Sequence, residues 1–413
     1  VSGEVLFLAH RMPFPPDRGD KIRSSHVLRH LSGLGPVHVA TFAESAADLA
    51  QEPVLAGLAA SHCLVRRTKP LALAGAEALL RGQPVSLAAF HSSRIAAYVE
   101  RVLKERDISA IYAFSGQMGQ YVPARFSGRV ITDLVDVDSA KFEAYGAAGS
   151  GPRAWIDLRE GRLLKAEEAR LAVRSDCCLF VSQEEADLFS GRLAPEQRGK
   201  ADVRALRNGI DSTVFDPAVA APEARLLAMP GPRLIFTGQM DYAPNIAAAE
   251  RAIERLMPLI RAQVPEASFH VVGRNPPESL KARHGANDCY IWGEVPDIRT
   301  WLAAADLALV PLEIARGVQN KVLEAMAMEL PVVLTPGAAT GISACDGQHL
   351  SIAESDEDLA RRVIDLLGDP AAKARIGKAA RRFVVEQLGW QATLAPLADL
   401  LAPGREGQGR HAA

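Results

Sequence analysis

Short, predominantly apolar runs separated by amphipathic stretches recur from one end of this 413-residue chain to the other. In the first half the runs occupy 5–9, 37–42, 110–114, 130–135, 177–181 and 203–206, with helical patterns such as 94–106 and 155–174 between them. A near-continuous apolar run, rather than one apolar at alternate positions, suits a strand buried on both faces, as in a parallel sheet. Strand–helix alternation then predicts doubly wound α/β layers. The rhythm breaks at RNGIDSTVF (207–215), where Asn-Gly is a turn signal and Pro217, Pro222, Pro230 and Pro232 follow. It restarts with strand runs at 234–237, 268–272, 291–292, 307–310 and 332–334 and helical patterns at 246–262, 298–304 and 321–328. Two α/β domains are expected, 1–207 and 208–385, facing each other across a cleft. Ligands of open parallel sheets bind beyond the carboxyl ends of the strands, so that cleft is the expected site.

Charge narrows the function classes. A net charge of −2 argues against a protein that wraps nucleic acid. Residues 1–207 carry 27 Lys and Arg against 24 Asp and Glu, a surplus of 3, and 208–413 carry 20 against 25, a deficit of 5. A basic first half would suit approach to an anionic membrane or acceptor. Cys63, Cys177, Cys178, Cys289 and Cys345 show no metal-ligand or redox spacing, and no His, Cys or Asp cluster has ligand spacing, so metal-independent chemistry without a cofactor is expected. The opening VSGEVLFLAH reads as a first strand rather than an export signal. With no apolar run of membrane-spanning length, the expected location is the cytoplasm.

Two stretches carry the chemistry of a phosphorylated ligand. PFPPDRGDKIR (13–23) follows the first strand and leads into a helix; Gly19 lets the backbone approach a ligand, the helix start offers free N–H groups, and Lys21 and Arg23 add positive charge. RGVQNKVLEAMAMELPVV (316–333) leads from one strand through a helix to the next. Lys321 and Glu324, three apart, share a helix face near its N-terminus. That pair suits a nucleoside diphosphate: the lysine and the helix start hold phosphate, and the carboxylate accepts two ribose hydroxyls. A plain surface ion pair is the alternative.

NKVLEAMAMELPVV resembles the donor-binding helix of the retaining glycosyltransferases of family 4, which have the GT-B fold of two Rossmann-like domains. Three further stretches agree in order: PFPPDRGDKIRS with the N-terminal glycine loop, LRNGIDSTVF with the interdomain linker, and FTGQMDYAPNIAAAERAIERLMPLI with FHVVGRNP for the opening of the nucleotide domain. Within the family the chain is most similar to the exosortase and PEP-CTERM-associated sugar transferases of exopolysaccharide systems. The resemblance implies transfer from a nucleotide-sugar donor to a saccharide or lipid-linked saccharide, with peripheral contact at the inner membrane. It implies Glu324 at the donor ribose and Lys321 at the diphosphate, with Gln319, Asn320 and Arg316 nearby. Gly19 would touch the phosphates, Glu294 and Val295 would frame the base, and Arg274 would line the nucleotide pocket. It also implies that a C-terminal helix within 386–413 crosses back to the first domain. Two departures stand out. Family members commonly have a glutamate eight before Glu324, where this chain has Arg316, and Glu313 lies eleven before. The loop GQMDYAPN (238–245) lacks the cations usual there.

TDLVDVDSAK (132–141) ends a first-domain strand. Its carboxylates Asp133, Asp136 and Asp138 suit acid–base work, with helix capping by Asp138 or Ser139 as the alternative. Asp136 is the preferred residue for activating or orienting the acceptor. FSGQMGQ (114–120) and His10 are further candidates for the acceptor side. Two other readings remain open: a nucleotide-sugar epimerase on the same fold, and a catalytically silent nucleotide-binding scaffold.

Overall fold

The computed structural model describes residues 3–313 and 318–402. The chain divides into two compact units. One takes the residues up to Asn208 and the segment from Thr393; the other is Gly209–Ala392.

The first unit holds seven parallel strands, β1 (Glu4–Ala9), β2 (Val37–Ala43), β3 (Ser61–Arg66), β4 (Ile108–Phe114), β5 (Arg129–Val135), β6 (Cys177–Phe180) and β7 (Val203–Ala205), in the order β3-β2-β1-β4-β5-β6-β7. The central strands are the predominantly apolar runs, interrupted in β2 by His38 and Thr41 and in β5 by Thr132 and Asp133. Val5 to Ala9 and all of β2 are buried, and Phe7 sits in register with Val39 on one side and Tyr112 on the other. The order reverses between β1 and β4, the point where open parallel sheets bind ligands.

The second unit holds β8 (Arg233–Thr237), β9 (Ser268–Val272), β10 (Cys289–Gly293), β11 (Leu307–Val310), β12 (Val332–Leu334) and β13 (Ser351–Ile352), also parallel, in the order β10-β9-β8-β11-β12-β13. Its reversal lies between β8 and β11. Helices Ala243–Arg251, Ile298–Ala304, Asn320–Ala327 and Asp356–Gly368 connect and cover these strands. Near the unit's end, Ile210 donates its backbone N–H to Leu388 at 2.9 Å, and a Cβ on Gly209 would lie 2.5 Å from the Trp390 backbone. The chain then rejoins the first unit. Its last helix, Pro396–Leu401, buries Leu397 and Leu401 completely, and Arg129 Nε donates to the Leu400 carbonyl at 3.3 Å.

Lys21 and Arg23, expected to add charge for a ligand, are instead consumed by the first unit's interior. Both lie on the helix Gly19–Leu34 and both are buried. Lys21 donates to Asp48 at 2.7 Å and lies 3.3 Å from Asp17. Arg23 Nε donates to Asp133 at 2.9 Å, and its Nη1 donates to the Leu206 carbonyl at 2.8 Å and to Asn208 Oδ1 at 2.9 Å. Tyr112 donates to the same Asp133 oxygen at 2.6 Å. Burial and the adjacent carboxylate push the Tyr112 hydroxyl well above its ordinary pKa, so it remains a donor. This network ties the first helix, β4, β5 and the end of β7 together. Asp133 therefore belongs to the core rather than to a carboxylate cluster at the strand end. Arg23→Met removes the cation and leaves Asp133 buried and short of its partner. It should destabilise the first unit by about 3–5 kcal/mol, read as a lower urea midpoint, whereas Arg204→Met on the exposed end of β7 should leave the midpoint near the parent value.

Candidate functional site

Parallel strands put every carboxyl end on one edge, and in the second unit three glycines shape that edge. Gly238, Gly273 and Gly293 end β8, β9 and β10. Gly238 donates its N–H to the Val272 carbonyl at 3.1 Å, and Gly273 donates to the Gly293 carbonyl at 2.8 Å. The backbones cross so closely that a Cβ on Gly273 would lie 1.6 Å from the Gly238 oxygen. Gly238 has φ +151°, and its own Cβ would meet Asn245 Nδ2 at 2.9 Å and Lys321 Nζ at 3.0 Å. Glycine here is what lets the lysine reach the end of β8.

Lys321 lies in the first turn of the helix Asn320–Ala327, which buries Val322, Leu323, Ala325, Met326 and Ala327 and so holds its opposite face at this edge. The ammonium donates to Asn245 Oδ1 at 2.5 Å and lies 4.6 Å from the centre of the Phe236 ring. Asn245 is buried and fixed in turn, donating to the Gln239 carbonyl at 2.8 Å. Burial drives the Lys321 pKa down to about 8, and the Glu324 carboxylate opposes the fall. Burial raises Glu324 above the ordinary carboxylate range, with Lys321 pulling the other way. The surface ion pair considered from sequence is therefore not what forms: the lysine turns to Asn245, and the two charges act on each other through space.

The other donor-side candidates lie along the same edge. Arg274 is exposed directly after Gly273; with the Gln239 amide oxygen turned towards it, its Nε donates to that oxygen at 2.7 Å. A cation thus stands against the loop that lacks one of its own. Glu294 is exposed after β10, and Val295 is half-buried against the core. Gln319 caps the helix and Asn320, its first residue, is exposed. Arg316 lies outside the described residues. Glu313 points away towards other arginines, 4.0 Å from Arg251 and 3.8 Å from Arg255.

In the first unit, Gly19 opens its helix with nothing within 4 Å of a Cβ position. Asp136 follows β5 and accepts from Lys141 at 2.8 Å, while Asp138, 3.4 Å from the same ammonium, sits in the first turn of the helix Asp138–Ala148. The cap is Val137 rather than Asp138 or Ser139. Ser139 donates its N–H at 2.9 Å and its hydroxyl at 2.6 Å to the buried Glu168, which burial raises to about 7. Val135 has φ +69° and Ser115 φ +77°, strained positions at the ends of β5 and β4. His10 ends β1, buried between Phe90 and Phe114, with Nε2 3.3 Å from Asp20. Burial lowers its pKa. Sequence reasoning missed Asn245 as the partner of Lys321, since 76 residues separate them. Among the described residues no three His, Cys, Asp or Glu side chains gather as a metal site.

Residues 231–369 match the family model described as Glycosyl transferases group 1. The chain is 24% identical over 264 residues to the glycogen synthase of Mycobacterium tuberculosis (strain CDC 1551 / Oshkosh), covering 62% of this chain and 60% of that protein. It is 29% identical over 206 residues to the GDP-mannose-dependent monoacylated alpha-(1-6)-phosphatidylinositol monomannoside mannosyltransferase of Corynebacterium glutamicum, covering 45% and 52%. It thus spans about half to two thirds of the length of the curated relatives it matches. Among solved structures it is similar to Anabaena HepE in complex with UDP and glucose, with TM-score 0.56 and 15% identity over 97% of this chain and 99% of that one. The fold is the two-unit α/β architecture of GT-B glycosyltransferases, and the matches support a glycosyltransferase family.

The glycine crossing gives a direct test. Gly273→Ala drives a methyl group into a backbone oxygen that cannot swing aside. Its effect should reach the upper end of the ~1–3 kcal/mol typical of overpacking, read by thermal unfolding. Gly368→Ala, at the end of the helix Asp356–Gly368 with no atom within 4 Å of its Cβ position, is the control for an ordinary glycine replacement.

Proposed function

We propose that the chain is a retaining glycosyltransferase, of the family 4 kind, that moves a sugar from a nucleoside-diphosphate sugar to a saccharide or lipid-linked saccharide in exopolysaccharide or cell-surface glycan synthesis. The observation that carries this reading is Lys321: a partly desolvated ammonium at the carboxyl edge of a nucleotide-binding type of sheet, with Glu324 one turn further along the same helix. Lys321 meets the diphosphate and steadies the charge that grows on it as the glycosidic bond to the donor sugar breaks. Glu324 accepts the ribose hydroxyls. We assign Gln319, Asn320 and Arg316, and Gly19 of the N-terminal loop, to the donor phosphates. Arg274 lines the nucleotide pocket, and the backbone at Glu294 and Val295 frames the base. Asp136, its carboxylate held by Lys141, orients the acceptor hydroxyl. The leaving phosphate takes the acceptor proton on the same face of the sugar, which gives retention. No metal or cofactor is required, and the enzyme works in the cytoplasm. The names of the relatives and neighbours make GDP-mannose and UDP-glucose the first donors to test.

Glu324→Gln keeps shape and removes the charge. A hydrogen bond to a charged group contributes about 1.5–3 kcal/mol, so affinity for the cognate nucleotide should fall about 10- to 150-fold by titration calorimetry. Lys321→Met should lower turnover more than ground-state binding, because the leaving group gains charge in the transition state. Unaltered affinity in the first variant, or full transfer in the second, removes the donor-site assignment. Nucleotide binding without transfer to any acceptor would favour the silent scaffold.

The depressed pKa adds a pH signature. Free Lys321 loses its proton near pH 8, and a bound diphosphate favours the charged form. Affinity is therefore complete below that pH and declines above it, by at most about tenfold per unit. Titrations from neutral to alkaline pH should show this decline in the parent and not in Lys321→Arg, whose guanidinium stays charged throughout. Parallel slopes in the two proteins would place the titrating group elsewhere.

A further inference from the structure

The helix Leu71–Arg81 is inside out. It buries Ala74 and Ala78 and turns Leu71, Leu73, Leu79 and Leu80 outward, with exposures between 57% and 89%. A helix packed on a globular core does the reverse. The helix Ser93–Glu105 of the same unit follows that rule: it buries Ile95, Tyr98, Val99 and Val102 and exposes Arg94, Glu100, Arg101 and Lys104.

The long helix Gly151–Arg174 continues the apolar surface. Arg159 donates to the Ala78 carbonyl at 3.1 Å and to the Gln83 carbonyl at 3.3 Å, and Glu160 accepts from the Val85 and Ser86 N–H groups at 2.8 and 2.9 Å. These contacts anchor the long helix against the end of the leucine helix. Its preceding turns expose Trp155, Ile156 and Leu158. Charge along this helix is sorted by sign. Asp157, Glu160 and Glu168 are buried, whereas Arg153, Arg162 and Lys165 are exposed. Trp155, Leu158, Arg162 and Lys165 follow i, i+3, i+7, i+10 spacing and form one stripe. An exposed leucine face thus belongs to a helix held against the one that carries an exposed indole and a line of exposed cations, of which Arg153 also lies 3.4 Å from Asp157.

We propose that this surface, the helix Leu71–Arg81 with the exposed stripe of Gly151–Arg174, docks on an anionic lipid bilayer. The leucines and Trp155 enter the boundary between headgroups and acyl chains, where indole rings are favoured, and Arg153, Arg162 and Lys165 meet lipid phosphates. No helix among the described residues is long and apolar enough to cross a membrane, so the contact is interfacial. Charge favours lipid over a second copy of the chain: a symmetric dimer through this face would set its cations against themselves. The proposal does not rest on the donor-site reading, because its readout needs neither nucleotide nor acceptor.

The test is flotation of the full chain with vesicles of phosphatidylcholine alone and of phosphatidylcholine with phosphatidylglycerol, at low and high salt. The parent should float with the anionic vesicles at low salt and be released by high salt. The double variant Leu79→Glu/Leu80→Glu should bind at least about tenfold more weakly. The triple charge reversal Arg153→Glu/Arg162→Glu/Lys165→Glu should bind at least about 100-fold more weakly, each cation near such a surface contributing roughly fivefold. Both variants should melt with the parent, since every altered side chain is exposed. A parent that stays unbound with anionic vesicles, or a leucine variant that floats as well as the parent, overturns the proposal. So does a parent dimer in sedimentation equilibrium that the leucine variant splits while vesicle binding is unchanged, for then a second copy covers the face.

Discussion

Strand direction is the constraint on which the rest of this molecule depends. All seven strands of one sheet and all six of the other run parallel, so every carboxyl end in a unit leaves at the same edge. Each return path is a crossover whose loop and helix start lie there as well. The second unit exploits this through backbone rather than side-chain chemistry. Three strands end in glycines that approach closely enough for main-chain groups to bond between neighbouring loops. With no Cβ on Gly238, the Lys321 ammonium occupies the space beside it, against Asn245 and the Phe236 ring. A cation placed this way has left much of its water and gained only a neutral partner and a ring face. It is suited to receive an anion.

The first unit shows what a charge-compensated buried cation looks like, even with one guanidinium nitrogen, Arg23 Nη2, left without a hydrogen-bond partner. Arg23 is about as deeply buried as any side chain in the protein, yet it faces a carboxylate, a carbonyl and an amide oxygen. Lys21 faces two carboxylates. These groups have no charge left to offer a ligand, and removing one partner would strand the other. Lys321 differs in lacking a carboxylate among its hydrogen-bond acceptors: burial lowers its pKa, whereas at Lys21 the two carboxylates outweigh burial and raise it. The separation of structural from functional cations therefore follows from compensation, not from residue type, motif or depth.

That distinction also marks how far the sequence could be read. The doubly wound class was legible because the central strands are buried on both faces and so apolar along most of their length, as in VLFLA of β1 and CCLF of β6. The edge strands β3 and β13 escaped notice. Ser61–Arg66 is half-buried along nearly its whole length and carries Ser, His and Arg, and β13 is two residues long. Charged groups were less legible than strands. Asp133, Asp136 and Asp138 look alike in TDLVDVDSAK, but strand alternation sends Asp133 inward to Arg23, 110 positions away, and leaves the others sharing Lys141. The Lys321–Glu324 spacing was visible as a shared helix face. The Asn245 that captures the lysine comes from a different crossover and leaves no mark in the local pattern.

Helix patterning carried a similar ambiguity. Counting basic residues singled out 94–106 and 155–174 together, yet the first is an ordinary core-packed helix whose exposed acids and bases are mixed. The second stands apart only once burial is known, because Asp157, Glu160 and Glu168 are buried while Arg153, Arg162 and Lys165 are exposed. LALAGAEALLR carries four leucines and four alanines among its eleven residues, a composition that does not say which of them face the core. In the fold, Ala74 and Ala78 take the inward positions and the leucines are left outside. Small residues inward let the helix lie close against its unit, and large ones outward keep apolar surface in water, which is unfavourable by about 25 cal/mol per Å² until something covers it. A sequence that spends its smallest apolar residues on its own core and its largest on the outside has a second surface in view, and the sign of the neighbouring charges says which kind.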